Sequence, residues 1–258
     1  MNREHDHLIK EFLEEKFDQY NRPNFISSDP IAIPHQFSNY KDIEVSGFLA
    51  ATIAWGQRAV IVSKGHEIMK LMENTPYTFI KEANKRELSQ FKKFGYRTFK
   101  SSDLMYFITA LHQLLKKYET LGQCFHHHYT NNMNVRDTLT AFHNDFFSHK
   151  APGRAVKHLS NPEAGSAAKR MNMYLRWMVR KDDRGVDFGI WDFISPAALY
   201  LPLDVHTSRI GRKLGLLDRR TNDWKAVVEI THKLQGFDAQ DPVKYDFALF
   251  GLGIFEKF

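Results

Sequence analysis

The sequence predicts an all-α protein, and three observations carry that expectation. Apolar residues recur at three- and four-residue steps in segment after segment, the period of a helix that buries one face. No stretch shows a sustained apolar–polar alternation, and no βαβ unit, P-loop or nucleotide-binding glycine fingerprint is present. No internal repeat of about 20 to 50 residues is evident, which argues against solenoids and propellers. Hydrophobic residues make up 43% of the 258, with 21 phenylalanines, so such helices have ample material for a core.

Residues 5–20 read as the first helix, with Leu8, Phe12, Leu13, Phe17 and Tyr20 as its apolar set. Residues 21–38 hold three of the nine prolines and little periodicity, which predicts a loop wrapping the surface. From Asp42 a long apolar segment runs through Val45, Phe48, Leu49 and Ile53. It continues past Trp55-Gly56-Gln57-Arg58 to Val60, Ile61, Ile68, Met69 and Leu71. Two helices are expected there, broken near Gly56 and Gln57. Thr75-Pro76 turns the chain into a further helix over residues 77–90.

Between Phe91 and Phe99 the aromatics Phe91, Phe94, Tyr96 and Phe99 alternate with Lys92, Lys93 and Arg97. Such a mixture suits a surface that stacks on nucleic-acid bases, and equally a set of core anchors with solvated charges between them. Ser102 or Asp103 can cap a helix carrying Leu104, Phe107, Ile108, Leu111, Leu114 and Leu115. His126-His127-His128 invites a metal, but consecutive residues of a helix or strand point in different directions. No carboxylate lies nearby at zinc-ligand spacing, so a surface histidine cluster and no metal site are expected.

Helical character resumes over residues 135–147 with Leu139, Phe142, Phe146 and Phe147. Residues 153–159 read as a short helix, Ser160-Asn161-Pro162-Glu163 has capping-box spacing, and Gly165 permits a tight turn. Residues 167–180 then read as strongly helical, burying Met171, Tyr174, Leu175, Met178 and Val179. Lys169, Arg176 and Arg180, seven and four residues apart, are expected on an exposed face of that helix. Thr221-Asn222-Asp223-Trp224 opens another helix, with Val227, Val228, Ile230 and Leu234. Asp241-Pro242 opens the last, filled by Tyr245, Ala248, Leu249, Leu252 and Ile254, where Gly251 and Gly253 allow close packing.

Charge points to an acidic partner. The chain carries a net +6, and the excess is concentrated. From Lys150 to Lys181 eight Lys or Arg stand against Glu163 alone, a net +7 over 32 residues, as a polyanion footprint would require. No run of about 18 apolar residues exists to span a membrane. The stretch from Met1 to His7 lacks the apolar core of a signal peptide. A lone cysteine, Cys124, excludes an intramolecular disulfide framework and suits a reducing compartment, so a cytoplasmic location is expected; the chain is read as a monomer.

The stretch from Leu201 to Gly215 carries the sharpest signal. Pro202 biases Leu201 toward an extended conformation, and Asp204 stands where a helix wants its N-cap. Ile210 and Leu214 give that helix a buried stripe, Arg209, Arg212 and Lys213 face elsewhere, and Gly215 can close it. On these residues alone Asp204 is either a cap or a carboxylate held beside cations for chemistry on a polyanion.

The ordered run Pro202-Leu203-Asp204-Val205-His206 through Gly215 resembles the signature of the helix-hairpin-helix base-excision DNA glycosylases, in which a Pro-x-Asp-x-His segment carries the essential aspartate at a helix start. The whole chain also resembles an uncharacterised bacterial family read as a remote branch of that superfamily. The resemblance implies a single domain of two helical lobes with a cleft between them, roughly 39–148 forming one lobe and 1–38 with 149–258 the other. It places Gln57, on its turn, where the superfamily's glutamine reaches into the DNA stack, with Arg58 following. It makes the segment around Gly165 the hairpin, and Lys169 the position of the catalytic lysine of the bifunctional enzymes or a plain phosphate ligand. Lys157, Gly165, Arg170, Arg176, Arg180, His206 and Arg209 join Gln57 and Arg58 as the implied nucleic-acid contacts.

The implied activity is removal of a damaged base flipped out of a lesion-bearing duplex, with or without lyase activity, and without a cofactor. Trp55, Trp177 and Trp191 are either stacking residues for that base or core. The chain departs from the pattern in two places. The superfamily's Leu-Pro-Gly-Val-Gly loop is replaced by Asn161-Pro162-Glu163-Ala164-Gly165, and residues 182–191 are inserted before Asp204. Its single cysteine also rules out the four-cysteine iron–sulfur cluster that some members hold. These departures leave two alternatives open: a non-catalytic nucleic-acid-binding protein that keeps the scaffold, and an unrelated helical protein whose basic face is incidental.

Overall fold

A computed structural model describes residues 3–149, 151–256 and 258; Lys150, counted above in the basic stretch, lies outside the described residues. The protein is all-α, its strands among the described residues being one short hairpin. No described helix is long and apolar enough to cross a membrane. The chain forms two compact units, one of Met1–Phe25 with Pro162–Phe258, the other of Ile26–Asn161.

Helix α1 (Arg3–Tyr20) begins the first unit. Its buried stripe is Ile9, Leu13 and Phe17 at four-residue steps, whereas Leu8 is 59% exposed, so the stripe is rotated from the expected one.

The second unit opens with proline-started 3-10 turns, among them Pro30–Ala32 and Pro34–Gln36. This is not a surface wrapping: Ile31 and Ile33 are fully buried. Gly65 sits so close to Ile33 that a Cβ would stand 2.5 Å from its Cγ1. Helix α2 (Tyr40–Thr52), capped by Asn39, is buried from Ile43 to Thr52 and is the core helix of this unit. The expected break follows, and α3 (Arg58–Leu71) begins after Gln57.

The helix expected over 77–90 is two, α4 (Pro76–Glu82) and α5 (Lys85–Leu88). Asn84 interrupts it with a capping box, accepting the Glu87 amide while Glu87 accepts its own. Strands β1 (Gly95–Tyr96) and β2 (Phe99–Lys100) pair antiparallel around Arg97. Phe91, Phe94, Tyr96 and Phe99 are all buried, which makes them core anchors and not a stacking platform. Helices α6 (Ser101–Tyr118), α7 (Leu121–Asn132) and α8 (Val135–Phe146) complete the unit around an aromatic core in which Phe125 stacks on Phe142 at 4.4 Å.

Returning to the first unit, Ser160–Glu163 opens no helix; Gly165 closes a turn by donating its amide to Pro162 O at 2.9 Å. Helix α9 (Lys169–Val179) follows, and then the inserted segment folds back on it. The Phe188 and Trp191 amides donate to the Trp177 and Met178 carbonyls, each at 2.8 Å, satisfying acceptors that a helix end leaves orphaned. Helices α10 (Val205–Lys213), α11 (Trp224–Gln235) and α12 (Tyr245–Gly251) finish the chain. Helix α12 lies along α1 with Gly251 at the crossing, where a Cβ would come 2.1 Å from the Tyr20 ring.

Candidate functional site

Asp204 is the N-cap of α10, in an extended conformation with φ −114° and ψ −171°. Its Oδ1 accepts the amides of His206 and Thr207 at 2.8 and 2.9 Å, which fixes the carboxylate rigidly. Its other oxygen, Oδ2, lies 4.0 Å from Nζ of Lys169, the first residue of α9. Both side chains keep a foothold in solvent, at 21% and 25% exposure, so the pair is reachable and not sealed. The ammonium otherwise rests 3.5 Å from the Met173 sulfur, a weak acceptor.

The approach to α9 is open backbone. Gly165 adopts φ +81°, with no neighbour within 4 Å of where a Cβ would stand. Ala168, the N-cap, is left-handed at φ +46° and offers no side-chain cap. A helix start of this kind presents amides and the positive end of the dipole to an anion. Next to Lys169, burial pulls the Arg170 guanidinium down to about 10.

Two turns further along α9 the expectation fails. Lys169, Arg176 and Arg180 do share a face, but Arg176 and Arg180 are 3% and 1% exposed and cannot grip phosphates. Arg176 pairs with Asp246 and, through Nε, with Asp187 at 3.3 Å. Arg180 reaches Asp182 and Asp241 at 2.8 Å and Asp187 at 3.2 Å. Burial works against the Arg180 cation, but the carboxylates of Asp187, Asp241 and Asp182 outweigh it and hold its pKa above the ordinary value. Buried charges persist only when paired. The acids come from the inserted segment, from Asp241 ahead of α12 and from Asp246 within it, beyond the stretch whose charge was counted.

Asp246 ties this network to the exposed pair. Burial pushes its carboxyl up to about 6; Arg176 pulls it down, and the Asp204 carboxylate, within electrostatic reach, pushes it up. Lys169 pulls it down as well, so one ammonium serves two carboxylates of different exposure.

The remaining candidates divide. His206 is half-buried beside Asp204, its Cβ 3.0 Å from where a Cβ on Gly253 would stand. Arg209 is exposed, but its donors are engaged by the carbonyls of Phe258 at 2.6 Å and Gly253 at 3.2 Å. Gln57, Arg58 and Lys157 belong to the second unit. There Gln57 is exposed at the start of α3 and makes no side-chain cap. Its turn is rigid: Gly56 is at φ +105°, a Cβ there would stand 2.6 Å from Arg97 Nη1, and the Tyr96 hydroxyl donates to the Trp55 carbonyl. Arg58 donates to Ser28, and Lys157 is exposed. Trp177 and Trp191 are core, at 0% and 3% exposure, and Trp55 packs on His158 at 5.7 Å. The histidine cluster splits, with His126 and His127 exposed and His128 buried.

With this geometry established, the chain can be set beside known families. Residues 29–255 match the model of the family described as a protein of unknown function, DUF2400. The chain belongs to that family. No significant match was found among curated proteins or among solved structures. The family's description assigns no reaction, so the roles of the residues in this member rest on its geometry.

Asp187 and Asp246 escaped the reading of the sequence although a signal was there. Each is an acid flanked by large apolar residues, Val186 and Phe188 in one case, Tyr245 and Phe247 in the other. An acid in such a setting is buried and must find a cation.

Proposed function

We propose that this protein is a base-excision DNA glycosylase of the helix-hairpin-helix kind, a monomer acting on duplex DNA that carries a lesion. The observation that carries the reading is the meeting of Lys169 and Asp204: an ammonium and a carboxylate 4.0 Å apart, partly exposed, each at a helix start. The uncapped start of α9 supplies amides for phosphates, the Gly165 turn leaves room for their approach, and the flipped nucleotide is the substrate.

In the lyase form, the Lys169 ammonium first gives a proton to solvent, and the lone pair of the resulting amine attacks C1′ of the sugar. The bond from C1′ to the base breaks, the departing base takes the electron pair and then a proton, and the proton lost by the attacking nitrogen goes to Asp204. Opening of the sugar ring gives a Schiff base. In the hydrolytic form, Asp204 takes the proton from an attacking water and offsets the positive charge that develops on the sugar.

A second reading is favoured by a specific observation. Asp204 already makes both bonds of an N-cap, and the burial of Arg176 and Arg180 removes two cations from the expected footprint. Asp204 is then a cap, and the protein binds nucleic acid without altering it. The test is incubation of the protein and of Asp204→Asn with a panel of lesion-bearing duplexes, scored for released base, with binding followed as salt rises. Base release lost in the variant supports the enzyme; binding retained with no release from either protein supports the binding module. Borohydride trapping of a covalent complex, lost in Lys169→Ala, selects the lyase form. Absence of salt-sensitive binding would sink both readings.

A further inference from the structure

The hairpin of α7 and α8, in the second unit, carries a cluster that the proposed reaction does not use. Cys124 and His128 are four residues apart on α7 and share its buried side, and Asp145 comes from the last turn of α8. The cysteine sulfur, an imidazole nitrogen and a carboxylate oxygen all lie within 4.8 Å of one another. Cys124 is fully buried and His128 is 9% exposed. The His128 Nε2 stands 3.3 Å from Asp145 Oδ2 and makes no well-formed hydrogen bond. A ring nitrogen left in that state inside a protein calls for an explanation.

The donor set supplies one. We propose that Cys124, His128 and Asp145 form a binding site for a single divalent transition-metal ion of the zinc type. Thiolate, imidazole and carboxylate together suit a borderline-soft cation, and three protein ligands leave a fourth position for water. In a tetrahedral shell the ligand atoms stand about 3.5 Å apart, so closure asks only for side-chain adjustment. A neutral imidazole offers its ring-nitrogen lone pair to the metal. The metal takes the cysteine as its thiolate, so the thiol gives up its proton on binding. Binding then forms the sulfur–metal bond, releases that proton to solvent and transfers no electrons.

The surroundings of Asp145 fit the role. The Tyr118 hydroxyl donates to its Oδ2 at 2.7 Å, an outer hydrogen bond of the kind that orients a ligating carboxylate. The Lys117 ammonium donates to both oxygens, at 3.2 and 3.0 Å, and opposes a cation. Its side chain is 57% exposed, so it can swing into solvent. The pattern was hidden in the sequence because the eye falls on the three adjacent histidines, while the ligands are one of them, a cysteine one turn earlier and an acid on the next helix.

The test uses the full chain, stripped with a chelator and titrated with Co2+. One equivalent should bind with a thiolate-to-metal charge-transfer band and the visible absorption of a tetrahedral site, both erased by Zn2+. Cys124→Ser should lose the charge-transfer band. Lys117→Met, a change at the surface that does not disturb the core, should bind Co2+ about fivefold more tightly, the scale of an exposed ion pair removed. A stripped protein that is folded by circular dichroism and gives no such band overturns the proposal. So does a charge-transfer band that survives in Cys124→Ser. Neither outcome bears on Lys169 or Asp204, which lie in the other unit.

Discussion

The two ends of α9 place three cations on one face and put them to opposite uses. At the N-terminal end Lys169 is a quarter exposed and stands 4.0 Å from a carboxylate that is itself accessible. Seven and eleven residues later Arg176 and Arg180 are buried among Asp182, Asp187, Asp241 and Asp246. Helical spacing brings all three to the same face, but only the distribution of acids elsewhere in the chain decides which of them meets water. A loose ion pair at the surface contributes little to stability and is free to do chemistry; a tight buried one fixes the fold and is unavailable.

That contrast can be broken at its buried end first. Arg176→Ala leaves Asp187 and Asp246 buried with a cation missing, which should destabilise the protein by about 3–5 kcal/mol in urea unfolding. Lys169→Ala should lose less than about 1 kcal/mol, because its pair is long and partly solvated. Comparable losses from the two substitutions would mean that the face is electrostatically uniform.

The buried end should also show itself through pH. Asp246 has its pKa raised to about 6 in the fold, by burial first of all. A raised acid binds its proton more tightly folded than unfolded. Its stabilising contribution is therefore complete below the unfolded value near 4 and is lost as pH climbs through about 6. Relative to Asp246→Asn, the wild type should lose on the order of 2–3 kcal/mol between about pH 4 and 6.5. A difference that stays flat across that range would show that Arg176 cancels the desolvation of Asp246.

How far the sequence could be read follows from the same contrast. Local signals were legible: the break before α3, the Asp204 cap, the start of α11 at Trp224, and the helix that presents Lys169 and Arg176 on one side. What was not legible depends on partners distant in sequence. Arg176 meets an acid 70 residues away, and Asp145 meets His128 from the next helix. The prolines of residues 21–38 suggested a surface loop, yet Ile31 and Ile33 are core because Gly65 lets α3 approach them. Periodicity reports which residues share a face, and burial of that face is a tertiary fact.

At the exposed end the comparison sharpens between two caps. Asp223 starts α11 with φ −112° and ψ −178°, nearly the geometry of Asp204, and accepts the Ala226 amide at 2.9 Å. Its carboxylate is gripped by Arg219, with Nη2 at 2.8 Å, and this holds its pKa well below the usual range. Asp204 has no such grip on Oδ2. Truncation to Ala should cost about 1 kcal/mol at either position, since both lose a helix cap. Only Asp204→Ala should change what happens to a lesion-bearing duplex.

The smallest change in stability is the one that decides the role of the site. Asn caps a helix as well as Asp does, so Asp204→Asn should move the unfolding midpoint by no more than a few tenths of a kcal/mol. It removes the charge that faces Lys169 and the oxygen that could take a proton, while leaving the Oδ1 bonds to His206 and Thr207 in place. If base release disappears in a protein this close to wild-type stability, the carboxylate acts on substrate and its cap bonds serve to aim it. If release is unchanged, Oδ2 has no chemical part, and Asp204 and Asp223 are two caps that differ only in their neighbours.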